Sequence, residues 1–411
     1  MSDAETVADS TETAALHQVA RSATARLVIL TGFIGIADFA FGAVYVDVLL
    51  RAGLTPASIG IGFFAAFAVS TLVEIPSGDW GDRWGQRRLA VIGLMLWGAA
   101  LVVFAIAQDA PVVLLATLVL WSVGQALFSG APISLTINAI SPSLRDLRLR
   151  ALRAANVAKW VGSAAGGLAV FVGVLAVDAH VLIGVAGGIL IILAVWVRLG
   201  WPEAERFAPR ESERRLWQRL RAGWTSTLGP LLVMTMLASA LLSVLLFAWQ
   251  PLVAQTTGLP VSANGGVLFV MTVIAALGAW LTRFRDKLRG GWDTGITLAV
   301  IAAIVLFAGA IPGVVSTVLA LSVVELLTSY CLTALAMDAH GVFDDRYRNM
   351  LWSVFSAAMG VAMAVTDLVF GLLWDALGLT PALAWAGAIG LGLVVITVVA
   401  QQVINFARTP R

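Results

Sequence analysis

The sequence predicts an all-α integral membrane fold, with twelve transmembrane helices arranged as two pseudo-symmetric six-helix bundles. Three observations carry that prediction. First, the 411 residues are 60% hydrophobic and only 12% charged, with a mean hydropathy of +0.93, whereas soluble domains carry roughly a quarter charged residues. Second, the apolar residues fall in long blocks of about twenty, the length a helix needs to cross about 30 Å of hydrocarbon. The ten-residue alternation of a membrane barrel does not occur, which leaves helices as the spanning solution. Third, on a twelve-span reading all of the 26 lysines and arginines except Arg51 fall in the tails, in every second connection or at its edges. Such segregation orients membrane helices with their basic loops toward the cytoplasm.

Taken in order, residues 1–25 are polar, acidic and rich in Ser, Thr and Ala, with no basic stretch leading into a short apolar core. They predict a disordered cytoplasmic tail rather than a cleaved signal peptide. Predicted spans follow at 26–50, 57–79, 89–108, 111–140, 154–177 and 180–199, which make an N-terminal bundle over 26–199. The second set, at 229–253, 263–282, 294–310, 312–338, 350–373 and 380–402, makes a C-terminal bundle over 229–402, and 403–411 is a second cytoplasmic tail. Between the bundles, the linker 200–228 contains a basic amphipathic run from Glu211 to Arg221, predicted to be an interfacial helix with Trp217 and Leu220 toward lipid. A weak repeat links the halves at an offset of about 200 residues. Gly53-Leu54-Thr55-Pro56 is echoed by Gly258-Leu259-Pro260, and Gly78, Asp82 and Arg83 by Gly278, Thr282 and Arg283.

Several classes of chemistry find no support in the residues. Cys331 is the single cysteine, and His17, His180 and His340 are scattered, so neither a disulfide framework nor a metal cluster is predicted. Neither Lys159 nor Lys287 lies in a Gly-x-x-x-x-Gly-Lys-Ser/Thr loop, which argues against transport driven by ATP. No nucleophile and base pair points to an enzyme. No cofactor is expected, and a proton gradient is the expected energy source. The excess of arginine over lysine, with abundant Ala, Gly and Trp, fits a high-GC bacterial genome.

The stretch Glu74-Ile-Pro-Ser-Gly-Asp-Trp-Gly-Asp-Arg-Trp-Gly-Gln-Arg-Arg88 separates spans 2 and 3 and predicts a tight charged hairpin. Its spacing, Gly78-x-x-x-Asp82-Arg83-x-Gly85-x-Arg87-Arg88, closely resembles the loop signature between helices 2 and 3 of the major facilitator superfamily of secondary transporters. The preceding Glu74-Ile-Pro-Ser-Gly resembles a variant common among its bacterial drug-exporter-like members. Small residues permit close helix approach, Asp82 can cap or pair across the helix gap, and the arginines suit the cytoplasmic face. The resemblance implies that Glu74, Gly78, Asp82, Arg83, Gly85, Arg87 and Arg88 form a latch between the halves. Glu74 is expected to be structural, paired with Arg83 or Arg87. In span 5, Gly162-Ser-Ala-Ala-Gly166-Gly167 resembles the superfamily's glycine-rich antiporter signature, with Ser163 where proline is usual. Arg346-Tyr-Arg348 through Ser353 resembles the loop entering helix 11.

Ionisable residues inside spans are costly against lipid, so their positions mark interior faces. Spans 3, 6, 9 and 12 have charge-free interiors, whereas spans 1, 2, 5, 10 and 11 hold Asp38, Glu74, Lys159, Glu325 and Asp367. Asp38 lies about 18 Å into span 1, near the bilayer centre, where a proton and a cation can compete for one carboxylate. It is the first candidate for proton coupling, the alternative being an aspartate hydrogen-bonded for structure. Glu325 is also central, and Asp367 is a cavity or gate candidate. Lys159 either snorkels to the cytoplasmic surface or pairs with a cavity acid. Trp249 and Gln250, before Pro251, offer an aromatic face and an amide to the cavity, with an interfacial belt position as the alternative for Trp249. In span 4, Gln125 is a further cavity candidate, and the arginine that many proton-coupled members carry there is missing.

The resemblance and the residues together imply alternating-access transport in a bacterial inner membrane, with both termini cytoplasmic and the protein a monomer. The expected partners are a small-molecule substrate, protons and the lipid bilayer. Acids outnumber bases in the expected cavity, which favours proton-coupled export of lipophilic or cationic drug-like molecules. The alternatives are transport of a neutral or anionic metabolite, with Lys159 binding substrate, and a non-transporting membrane receptor or scaffold.

Overall fold

The computed structural model describes residues 3–107, 109–202, 223–260, 262–287, 292–310, 313–343 and 348–408. Every regular element among them is a helix. The first span is two pieces, α1 (Asp3–Gly42) and α2 (Tyr45–Arg51), with a break at 43–44. A capped start follows for α3 (Pro56–Trp84), where Thr55 accepts from the Ser58 amide at 3.2 Å and Pro56 takes the first helical position. The chain continues through α4 (Gln86–Ile106), α5 (Pro111–Phe128), α6 (Ala131–Ala139), α7 (Arg145–Gly173) and α8 (Ala179–Gly200). The second group comprises α9 (Leu228–Thr257), α10 (Ser262–Leu281), α11 (Trp292–Ala308), α12 (Val314–Val342), α13 (Arg348–Leu377) and α14 (Leu379–Arg408).

Eleven segments among the described residues are long and apolar enough to cross a membrane. The expected span at 294–310 is present as a shorter apolar helix, Thr294–Ala308. Large apolar side chains such as Leu199, Ile106 and Leu175 are 75 to 79% exposed on the outside of the bundle. Water would not tolerate that shell, but hydrocarbon does, and helices satisfy their backbone groups internally there.

Two expectations are corrected. The hairpin predicted after Ile75 is helical: α3 runs on through Pro76 to Trp84, and Gly85 alone separates it from α4. Gly85 has φ +97°, a conformation open to glycine at little cost. The disordered N-terminal tail is instead the start of α1, with Ala20 and Ala23 buried against Ile140 and Ala151. The predicted interfacial helix at 211–221, with Trp217 and Leu220, lies outside the described residues.

Helices α1–α8 pack among themselves, as do α9–α14, and the two groups meet along α3–α13, α7–α10 and α2–α9. Close approach is built from small residues. A Cβ at Gly162 of α7 would collide with the Gly32 carbonyl oxygen of α1, and one at Gly166 would lie 2.5 Å from that of Ile36. Thr31 adds a hydrogen bond to the Ala155 carbonyl at 3.1 Å. Gly167 faces the second group, with the Gly265 carbonyl of α10 at 3.0 Å from its would-be Cβ. Without a hydrophobic force between helices in lipid, such backbone contact supplies much of the association.

Candidate functional site

Between the two groups lies a central cavity of about 60 Å³. The first group contributes Tyr45, Phe63, Phe67 and Trp121; the second contributes Ser243, Leu246, Phe247, Met363 and Asp367. Aromatic rings run unbroken from one group to the other. Phe41 packs on Trp121 at 5.7 Å and on Tyr45 at 5.2 Å, Tyr45 on Phe63 at 5.7 Å, and Phe63 edge-on to Phe247 at 5.1 Å. Phe247 then meets Phe370 and Trp374 at 5.6 and 5.4 Å. Edge-to-face pairs of this kind add about 0.5–1.5 kcal/mol each beyond burial.

Of the three candidate acids, only Asp367 is among the described residues that line the cavity; Asp38 and its partner Gln125 lie behind the wall. Asp367 is buried and accepts from Ser243 at 2.5 Å. Asp38 accepts from Gln125 Nε2 at 3.1 Å, which brings two residues singled out from sequence into one unit. Lys159 of α7 is near enough to act on Asp38 electrostatically, and among the described residues no ion pair between the two is found. Tyr45 of the first group and Asp367 of the second line the same cavity. Glu325 of α12 has a buried Oε2 with no hydrogen-bond partner among the described residues, and it is not on the cavity wall.

Two sequence candidates lie elsewhere than expected. Trp249 is 1% exposed and packs inside the second group against a void of about 20 Å³, lined by Leu252, Ile304, Val305 and Leu321 among others. It is a core residue, neither on the cavity nor in an interfacial belt. Gln250, one position on, is fully buried where the groups meet: its Nε2 donates to the Gly42 carbonyl at 2.7 Å, and its Oε1 accepts from the Asp47 amide at 3.1 Å. Asp47 Oδ2 also accepts from Asn264 Nδ2 at 2.7 Å. Asp47 and Asn264 escaped the sequence reading because both lie at span ends, where charge and amide groups are ordinary. Pro251 does not interrupt α9, which continues to Thr257.

At the opposite end, Glu74 accepts from Ser356 of α13 at 3.0 Å, a bond between the groups; of its two expected partners, the Arg83 side chain lies outside the described residues. Arg87 donates to the Trp201 carbonyl at 2.9 Å. Gly78 lies within α3, Arg88 is exposed on α4, and the side chains of Asp82, Arg83 and Arg348 lie outside the described residues, as does all of Arg346.

A model of the Major Facilitator Superfamily matches residues 27–365. The chain belongs to that superfamily. Its transporter fold agrees with solved structures along nearly the whole length. One is a bacterial homolog of the human lysosomal transporter Spinster, inward-facing and unoccupied, with TM-score 0.72, 17% identity and coverage of 93% of this chain and 94% of that one. The nucleoside transporter NupG gives TM-score 0.74, 12% identity and coverage of 92% and 98%. At such identities the likeness is one of fold alone. Among curated proteins, the 3-(3-hydroxy-phenyl)propionate transporter of Escherichia coli strain K12 is 29% identical over 212 residues. That match spans 51% of each chain, about half the relative's length.

Proposed function

We propose that this superfamily member exchanges a lipophilic aromatic cation for protons by alternating access. The observation that supports it is the wall of the central cavity: aromatic rings from both groups and, among the described residues, one buried carboxylate at Asp367 and neither lysine nor arginine. Ring faces attract organic cations. A carboxylate so placed is compensated by a cation or by a proton, and alternation between the two is exchange. The cavity of about 60 Å³ has room for about two waters, far below the roughly 300–1,000 Å³ of small-molecule sites. A drug-sized compound therefore enters only when the groups separate, as rocking about a central site requires.

In this reading twelve helices cross a bacterial inner membrane, with α11 as the short ninth crossing. Residues 26–199 and 229–402 form two pseudo-symmetric bundles joined by 200–228, and both termini are cytoplasmic. The transporter works as a monomer without a cofactor, driven by the proton gradient. Asp38, held by Gln125, carries the proton; Asp367 receives the cation; Glu325 is a reserve acid of the second bundle. Glu74, Gly78, Asp82, Arg83, Gly85, Arg87 and Arg88 latch the cytoplasmic end.

A second reading is uptake or export of an aromatic carboxylate, with Lys159 as its partner. The 29% identity to a 3-(3-hydroxy-phenyl)propionate transporter supports it. Purified protein in liposomes with a trapped pH dye separates the two. Proton movement on adding a lipophilic cation, lost in Asp38→Asn, is the expected result. A signal from aromatic carboxylates alone, abolished in Lys159→Ala, would replace the first reading with the second.

A further inference from the structure

Span 1 is interrupted in the middle of a buried contact between the two helix groups. The Ala43 amide bonds the Phe39 carbonyl and the Val44 amide that of Phe41, closing α1; the α2 ladder resumes with Val48 to Val44. A helix end leaves carbonyls without partners and a helix start leaves amides. One orphan of each kind is satisfied here by the same side chain from the other group. Gln250 Nε2 donates to the Gly42 carbonyl and Gln250 Oε1 accepts from the Asp47 amide. An amide has one donor face and one acceptor face, which is what a broken helix requires of a bridging group.

We propose that Gln250 is a splint that holds span 1 broken while the groups are closed at this end, and that the break heals into one continuous helix when they open. The inference rests on the alternating-access reading. Separation at this end withdraws Gln250 and leaves two backbone groups without their protein partner. The least costly replacement is the α-helical pattern itself, Val46 amide to Gly42 carbonyl and Asp47 amide to Ala43 carbonyl. One set of hydrogen bonds is exchanged for another, so the two states stay close in energy. Healing also turns α2 relative to α1, and α2 begins with Tyr45 on the cavity wall. Asp38 sits four residues, about one turn, before Gly42. Charge at Asp38, the shape of the cavity and the gate are thereby tied to one helix joint.

Spin labels on cysteines at Arg51 and Gln255, both exposed, in a Cys331→Ser background, report the gate distance by double electron–electron resonance in nanodiscs. Gln250→Leu is expected to shift the open-to-closed ratio toward open by about tenfold, the effect of losing one or two net hydrogen bonds. Val46→Pro removes the amide that the healed helix needs, while proline is tolerated in the first turn of α2; the open population should vanish. Val46→Pro alone decides the matter if Gln250→Leu does not fold. A Gln250→Leu distribution matching the parent, or a Val46→Pro protein that opens freely, overturns the splint. A parent protein showing one distance under every substrate and pH condition overturns alternating access itself, a distinguishable result.

Discussion

At Asp38 and at Asp367 an asparagine removes the charge and keeps the accepted hydrogen bond. Asparagine at 38 still accepts from Gln125, so Asp38→Asn should keep the thermal unfolding temperature within a few degrees while abolishing substrate-driven proton movement in liposomes. Retained proton movement would exclude Asp38 as the coupling group. Asparagine at 367 still accepts from Ser243, so Asp367→Asn separates charge from hydrogen bonding. It is expected to weaken binding of a cationic aromatic by about ten- to a hundredfold, the effect of about 1.4–2.8 kcal/mol, and to spare a neutral isostere, as measured by ligand-induced thermal shift. Equal losses for both ligands would mean that Asp367 shapes the cavity without recognising charge. Asp38 and Gln125 were both legible as candidates, but their pairing was not, because 87 residues separate them. Trp249 and Gln250 show the limit more sharply. They are adjacent, so they point about 100° apart on one helix, and nothing in the apolar sequence around them says which direction is core and which is interface.

At the scale of the element, hydropathy marks where the membrane ends and not where a helix ends. That is why α3 outruns its predicted span by five residues, from 79 to Trp84, and why α1 begins well before residue 26. Pro76 does not stop α3, since an amide lost inside a membrane helix is compensated by neighbours; the Ser77 hydroxyl bonds the Glu74 carbonyl there at 2.8 Å. Chain reversal falls to Gly85, where φ of +97° with ψ of 131° would cost another residue about 1–3 kcal/mol. Gly85→Ala should therefore lower the unfolding temperature measurably, and an unchanged temperature would show that the turn is not strained. The span 5 motif, read as one signature, divides by function: Gly162 and Gly166 seat α7 on α1, whereas Gly167 seats it on α10. Gly162→Val should abolish folded protein, because its Cβ has no room beside the Gly32 carbonyl. Gly167→Val should leave each group intact and shift the gate toward the open state, as read by the Arg51 to Gln255 label distance. Loss of folded protein in both variants would assign the whole motif to stability.

For the molecule as a whole, α3 and α13 touch at both ends. Near one end Gly60 lies against the Asp367 carbonyl and Gly371 against that of Pro56; near the other Glu74 bonds Ser356. The proposed latch acts at the Glu74 end. Asp82→Asn is expected to cut turnover in liposomes severalfold while leaving substrate-induced thermal shift intact, and unaltered turnover would remove Asp82 from the latch.

Composition and patterning alone establish a multi-pass helical membrane protein and a signature whose family the matched model confirms. These are local quantities, readable as sums over about twenty residues. Which face of each helix meets another helix was decided by the tertiary structure. Lipid is as apolar as a protein core, so a buried face and a lipid face have the same composition, and the periodicity that reveals the inside of a soluble helix is erased. The bonds of Gln250 to Gly42 and Asp47, the Asp47–Asn264 bond and the row of aromatics across the interface depend on contacts between distant residues, and only packing brings them together.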